Sequence, residues 1–431
     1  MANLLDPIYL LVAGVTAPWW ARKARGGWSE RFGKIEPVGA AERGTKRPRI
    51  MLHAVSVGEV SALRQIIPLL TPHCNVLVTA STDTGLKRAH ELFGKMSDVR
   101  RYPLDASWAV SRFLDSARPD AVALVELELW PNFIRACVER DIPVGVINGR
   151  LSERSFKGYR KLRWYLRNVF ASLEFAAVQD ADYAARFEAM GVPPGRCLLT
   201  GSMKWDAARI EDDVAGASKL AAEMGIDPAR PLIVAGSTGP GEEALLHLAC
   251  PKGVQLLCAP RKPERFDEAA AAMPGCVRRS NKQARPGADR FLLDTIGELR
   301  QAYALATVVV VGRSFGDLHG SDPIEPVGLG KATVIGPAVS DFARVVEVLE
   351  RGRGLVRASR ESLGATLSRL IADPAERLSL GESGRAAIRA QMGASARHAE
   401  ILLSVLDRVS RTRDLPEGSE SPRSAATTTS S

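Results

Sequence analysis

The stretch AVALVELELWPNFI, residues 121–134, decides how this chain is read. A continuous apolar run, of the kind buried on both faces of a parallel sheet, leads into Glu126 and Glu128 and then into Trp130, Pro131 and Asn132. Two carboxylates where an apolar strand ends have a plain explanation, an edge strand emerging into solvent. They also have a chemical one, because open α/β sheets place their ligands at the carboxyl ends of their strands. On strand geometry, side chains two apart share a face, so Glu126 and Glu128 are expected to point the same way.

Choosing between them needs the rest of the chain. Residues 50 to 200 alternate the strand-like runs IMLHAV, NVLVTAS, VRRYPLD, AVALVEL, IPVGVIN and FAAVQD with helix-length segments such as SVGEVSALRQIIPLL. A second series follows in LIVAGS, VQLLCAP, DRFLLDT, TVVVVG and ATVIGP. This alternation predicts parallel sheets wrapped by helices, in two α/β halves. The join is expected at TGSMKWD, residues 200–206. A chain of 431 residues is long enough for two such domains.

Composition narrows the partners. The apolar share of 45% and charged share of 25% are ordinary for a globular protein, and the net charge of +9 favours anionic partners. The six cysteines are scattered without a CxxC pair, which predicts buried thiols rather than disulfides or a zinc site. IYLLVAGVTAPWW, residues 8–20, is shorter than the ~18 to 20 residues that span a bilayer. It ends on Trp19 and Trp20, followed by Arg22, Lys23 and Arg25, the order expected where a segment meets lipid headgroups on a cytoplasmic face. A monotopic anchor over residues 1–25 is therefore expected, with a buried first helix as the alternative. From residue 412 the chain is rich in Ser, Thr and Pro, and a disordered tail is expected.

No GxGxxG follows the first strand, and VGLGKAT fails as a phosphate loop because Glu325 and Ala332 stand where Gly and Ser or Thr belong. HAVSVGEV (53–60) and AGSTGPGEE (235–243) each turn a strand into a helix with glycines, which lets backbone N–H groups approach an anion or simply caps the helix. HGSDPIEPVGLGK (319–331) follows TVVVVGRSF and places Glu325 at a helix beginning. There it suits a nucleotide's ribose hydroxyls, or only the helix dipole, worth about 0.3–1 kcal/mol. GRLSERSFKGYRKLRWYLR (149–167) carries Arg150, Arg154, Lys157, Arg160, Lys161, Arg163 and Arg167. Such density fits a phosphorylated lipid headgroup or an anionic bilayer. The interleaved Phe156, Tyr159, Trp164 and Tyr165 also suit single-stranded nucleic acid, but the neighbouring apolar segment favours the membrane and no nucleic acid partner.

In order, GGWSERFG, HAVSVGEV, ELELWPN, INGRLSERSFKGYRK, GSMKWD, AGSTGPGEE, APRKPERF, LDTIGEL and DPIEP closely resemble the Kdo (3-deoxy-octulosonic acid) transferases. The resemblance runs from about residue 4 to 405. It implies a GT-B fold, two Rossmann-like domains with parallel sheets facing across a cleft. It implies an inverting, metal-independent transfer of Kdo from CMP-Kdo to the phosphorylated lipid A precursor lipid IVA, with no cofactor beyond that donor. The implied division is an acceptor-binding domain over 26–205 and a CMP-sugar domain over 206–411.

By the same resemblance the catalytic base falls on Glu30, which would otherwise read as a solvated helix carboxylate near Lys34. Glu128 is expected to assist the transition state, and Lys204 matches an interdomain lysine suited to neutralising phosphate charge. The implied donor contacts are Pro260, Arg261, Ile296, Gly297, Glu298, Asp322, Pro323, Ile324 and Glu325. Three positions depart from the family pattern around that donor. Asp322 replaces an Asn, Lys262 a His and Gly239 a His. The alternatives are another GT-B enzyme, such as a sugar-nucleotide 2-epimerase, or a catalytically silent lipid- or nucleic-acid-binding relative.

Overall fold

In a computed structural model, residues 26–38 and 47–414 are described. The expected anchor over residues 1–25 lies outside them, as does the tail from 415 onward. The chain divides into two compact units, one of residues up to Ala207 together with those from Gly393 onward, the other Ala208–Met392.

The first unit is built on seven parallel strands: β1 (Arg49–Ala54), β2 (Asn75–Ala80), β3 (Asp98–Arg101), β4 (Ala121–Val125), β5 (Val144–Gly149), β6 (Phe175–Val178) and β7 (Cys197–Leu199). Their order is β3-β2-β1-β4-β5-β6-β7. The second unit repeats the plan with β8 (Leu232–Thr238), β9 (Gln255–Pro260), β10 (Val277–Arg278), β11 (Arg290–Leu292), β12 (Val308–Val311), β13 (Ala332–Ile335) and β14 (Val356–Arg357), in the order β10-β11-β9-β8-β12-β13-β14. The central strands are buried on both faces, which explains why they read as unbroken apolar runs rather than alternating ones. Three strands have no counterpart in the sequence reading, β7, β10 and β14. Each is two or three residues long, too short to carry a periodic signal.

Two expectations are corrected. The strand through AVALVEL stops at Val125, and Glu126 takes φ 61°, a left-handed conformation that turns the chain out of the sheet. Glu126 and Glu128 therefore do not share a face through strand alternation. The second correction concerns the end of the chain. The helix Ala394–Asp414 was assigned with the CMP-sugar domain to residue 411 and to a tail beyond, yet it belongs to the first unit. Ala394, Ala399, Leu402, Val405 and Leu406 pack into a core with Ile50, Leu52, Val78 and Ala123 from the first sheet. Burial of that apolar stripe draws the helix there. All six cysteines are free thiols. No helix among the described residues is long and apolar enough to cross a membrane.

The returning helix is fastened by polar contacts as well. Asp206 accepts the backbone N–H groups of Gly393 at 2.6 Å and Ser395 at 2.5 Å, satisfying donors at the helix start. Buried His398 accepts the N–H of Asn148 at 3.2 Å. Asp206→Ala is expected to cost about 1–2 kcal/mol by leaving those donors without a partner. Urea unfolding followed by circular dichroism measures the difference, and an unchanged midpoint would contradict this account of the helix.

Candidate active site

Chemistry-bearing side chains collect at the carboxyl edge of each sheet. In the first unit the winding reverses between β1 and β4, so the segments leaving these neighbouring strands diverge and open a crevice. After β1, Ser56 and Glu59 form a capping box. The Ser56 hydroxyl donates to Glu59 at 2.8 Å, and the other Glu59 oxygen accepts the Val55 N–H at 2.8 Å. After β4 come Glu126 and Glu128. The Trp130 indole N–H donates to Glu128 at 3.0 Å, and Pro131 begins the helix Pro131–Val138.

These three glutamates act on one another. Burial pushes the Glu128 carboxyl up to about 7, with the charge of Glu59 and, less, Glu126 adding, and the Trp130 hydrogen bond opposing. Glu126 is raised for the same first reason and by Glu59, while Arg150 and Lys204 pull it down. Lys204 is itself exposed, in the loop before Trp205. The structure thus brings Glu128 and Lys204 into one neighbourhood through Glu126. Glu59 was read from sequence only as part of a helix start. The carboxylate pairing that gives it weight becomes visible once β1 and β4 are neighbours.

Glu30 stands at another part of that edge, on the short helix Trp28–Arg31. Buried Arg101, at the end of β3, donates from Nε to its Oε2 at 3.2 Å and from Nη1 to Asp83 at 2.6 Å. Arg31 donates to the same Asp83 oxygen at 3.2 Å and to the Ser81 carbonyl. Gly27, at φ 71°, makes room for this arrangement, since a Cβ there would lie 2.4 Å from Arg101 Nε. The Glu30 side chain remains 38% exposed. Asp83 and Arg101 were missed by the sequence reading, and no local pattern marks them, because they meet Glu30 only through the pairing of β2 with β3. No hydrogen bond or ion pair among the described residues joins Glu30 to Glu128 or Lys204.

The second unit reverses its winding between β8 and β12. Here AGSTGPGEE is chiefly architectural. Buried Glu242 accepts four backbone N–H groups, from Gly239 and Arg313 at 2.7 Å, Ser314 at 2.9 Å and Phe315 at 3.0 Å, and so binds the loop after β8 to the loop after β12. Glu243 accepts from Thr238 at 2.6 Å and pairs with Arg265 at 2.9 Å.

The implied donor residues fall into two connected sets. Pro260 closes β9, and Arg261 donates its N–H to the Thr238 carbonyl at 3.1 Å. Burial raises the Tyr303 hydroxyl, and the charges of Glu325 and Asp322 add to this while Arg261 opposes it, which sets these three around one tyrosine. Asp322 also accepts the Ile324 N–H at 2.9 Å, beside Pro323. Glu325 is 3.4 Å from Arg300 and 41% exposed. The helix carrying Arg300 and Tyr303 begins after Glu298, which is held by Arg279 at 3.0 Å. Ile296 is 74% exposed and Gly297 has φ 95°. No cluster able to hold a metal ion is found among the described residues.

Two seven-stranded parallel α/β units with loops gathered at their carboxyl edges define a GT-B protein. HepE of Anabaena in complex with UDP has this architecture, with a TM-score of 0.56 over 85% of this chain and 99% of that one; at 13% identity the likeness is one of fold. Sequence is more specific. The family described as 3-deoxy-D-manno-octulosonic-acid transferase (kdotransferase) matches residues 26–207. The 3-deoxy-D-manno-octulosonic acid transferase of Bordetella pertussis is 32% identical over 89% of this chain and 93% of its own length. That of Haemophilus influenzae is 29% identical over 83% and 87%. The chain belongs to the 3-deoxy-D-manno-octulosonic acid transferase family and is a glycosyltransferase.

Two outcomes follow from the site's electrostatics. Because the folded state raises Glu128, its contribution to stability is present below the ordinary carboxyl value of 4.5 and is lost as pH rises through about 7. Glu128→Gln should therefore leave stability unchanged at pH 4 and raise it by about 1 kcal/mol at pH 8.5, allowing for partial exposure, as read by thermal melts at both pH values. Glu242→Gln offers fewer acceptor sites and points an N–H₂ at donors, so it should destabilise by about 2–4 kcal/mol. Calorimetry giving a wild-type melting temperature for that variant would remove Glu242 from its structural role.

Proposed function

We infer that this enzyme transfers Kdo from CMP-Kdo to a phosphorylated lipid A precursor of the lipid IVA type, in lipopolysaccharide synthesis at the cytoplasmic face of a bacterial inner membrane. Glu30 is the base. Its Oε2 is held by Arg101, and its exposed carboxyl can accept the proton of the acceptor hydroxyl as that oxygen attacks the anomeric carbon opposite the departing CMP. Glu128, with its carboxyl lifted to about 7, has a proton to share near neutral pH and donates to oxygen that gains charge in the transition state. Lys204 offsets the phosphate charge on departure, so the reading needs no metal ion and no cofactor beyond the donor.

In the donor unit Arg261 faces phosphate, Glu325 accepts from ribose hydroxyls, and Asp322, Pro323, Ile324, Pro260, Ile296, Gly297 and Glu298 complete the nucleotide contacts. The acceptor reading is supported by the solvated helix Glu153–Lys161, on which Arg154, Lys157, Arg160 and Lys161 are all exposed. Beside it a groove of about 390 Å³ is lined by Ile134, Val138, Tyr165 and Val169, and Trp164 stands 82% exposed at its rim. Cations next to an apolar groove suit the phosphates and acyl chains of one lipid, and suit a membrane surface.

The observation that carries the reading is Glu30, anchored by a buried arginine on one oxygen and open to solvent at the carboxyl edge of the sheet. Glu30→Gln should lower turnover by roughly 10²–10⁴-fold with CMP-Kdo and lipid IVA while leaving CMP affinity intact. Mass spectrometry of the lipid product reads the first quantity and calorimetry the second. Undiminished transfer by the Gln variant, or a preference for uridine over cytidine nucleotides, would refute the assignment.

A further inference from the structure

At the reversal point of the second sheet the ends of β8 and β12 lie unusually close. Gly312 donates its N–H to the Gly236 carbonyl at 2.8 Å, and a Cβ on Gly312 would lie 2.6 Å from the Thr238 Cα. The next residue, Arg313, has φ 58°, a conformation that L residues other than Asn and Asp adopt at a cost in backbone energy. Two backbone contacts hold it there. Its N–H donates to Glu242 at 2.7 Å, and its carbonyl accepts from Gly320 at 2.9 Å.

The Arg313 side chain has no such role. It is only partly buried, and its guanidinium makes no hydrogen bond or ion pair with any described residue. Three other arginines of this unit differ, Arg265 being tied to Glu243 and Glu268, Arg279 to Glu223 and Glu298, and Arg300 to Glu211 and Glu325. The stem of Arg313 runs beside Gly239. A Cβ on Gly239 would lie 2.7 Å from Leu318 Cδ1 but at an ordinary contact distance of 3.5 Å from Arg313 Cγ, so Gly239 makes room for Leu318 alongside the Arg313 stem. On the opposite flank Arg261 holds the Thr238 carbonyl. The end of β8 is thus bordered by one arginine from β9 and another from β12, at the place where open α/β sheets bind their ligands.

We propose that Arg313 is a further donor-binding residue, whose guanidinium takes an oxyanion of the activated sugar, either the nucleotide phosphate or the sugar carboxylate. Both anions match the planar fork of arginine donors, and strain kept at a residue with an unpaired cation is accounted for by a ligand that the cation meets. The inference rests on the reading that this unit holds the CMP-sugar.

The test uses the full chain as wild type, Arg313→Gln and Arg313→Gly, titrated calorimetrically with cytidine, CMP and CMP-Kdo, with melting temperatures recorded in parallel. Wild-type protein that binds none of the three overturns the donor reading itself and this inference with it. With wild-type binding established, Arg313→Gln should weaken CMP about tenfold and leave cytidine unchanged if the phosphate is the partner. If the carboxylate is, CMP is unchanged and CMP-Kdo weakens about tenfold. Affinities within twofold of wild type for all three, or a matching loss for cytidine, overturn the proposal. Arg313→Gly removes the strain together with the cation, so it should melt no lower than wild type and show the same affinity loss. A glycine variant that binds like wild type also overturns it.

Discussion

In each of the two sheets the order of winding reverses once, between β1 and β4 and between β8 and β12. All strands in a sheet run the same way, so every outgoing loop starts at one edge, and at the reversal two adjacent loops leave in opposite directions. A gap opens between them. What occupies it is a set of polar groups that would be costly to bury without partners, and the local structure is arranged to supply those partners.

The supply differs between the units. At the second reversal Glu242 is saturated by four backbone N–H groups, which makes it a fastening between loops and fixes the backbone around Arg313. At the first reversal Glu59 is satisfied by its own helix start, whereas Glu126 and Glu128 are left desolvated and close to another negative charge. Two carboxylates, Glu242 and Glu59, are therefore structural, and two, Glu126 and Glu128, are held in a state that invites chemistry. Positive φ values at Glu126, Asn148, Ser237 and Arg313, all at or just beyond strand ends, mark the same edges as the places where the backbone departs from its easy conformations.

Much of this was legible in the residues. The central strands declared themselves because burial on both faces demands unbroken apolar runs, and the resemblance of nine ordered motifs carried the family. Three of the four shortest strands, β7, β10 and β14, left no trace, since two or three residues cannot express a period, whereas β11, equally short, lies in the longer apolar run DRFLLDT. The carboxylates of ELELWPN were placed at the correct edge for a reason that failed in detail, as the strand ends before Glu126. Contacts made through strand pairing, such as Arg101 with Glu30, have no local signature. The final helix was misassigned because its amphipathic pattern says that it packs and is silent on which core receives it.

The destination of that helix shapes how the molecule is made. Residues 208–392 form an insertion within the first unit, entered after Ala207 and left before Gly393. On the ribosome the inserted unit emerges whole while its host still lacks the helix that covers one face of its sheet. The host acquires core residues such as Leu402 and Leu406 only after the whole inserted unit has been made, so maturation of the first unit waits on synthesis of the second.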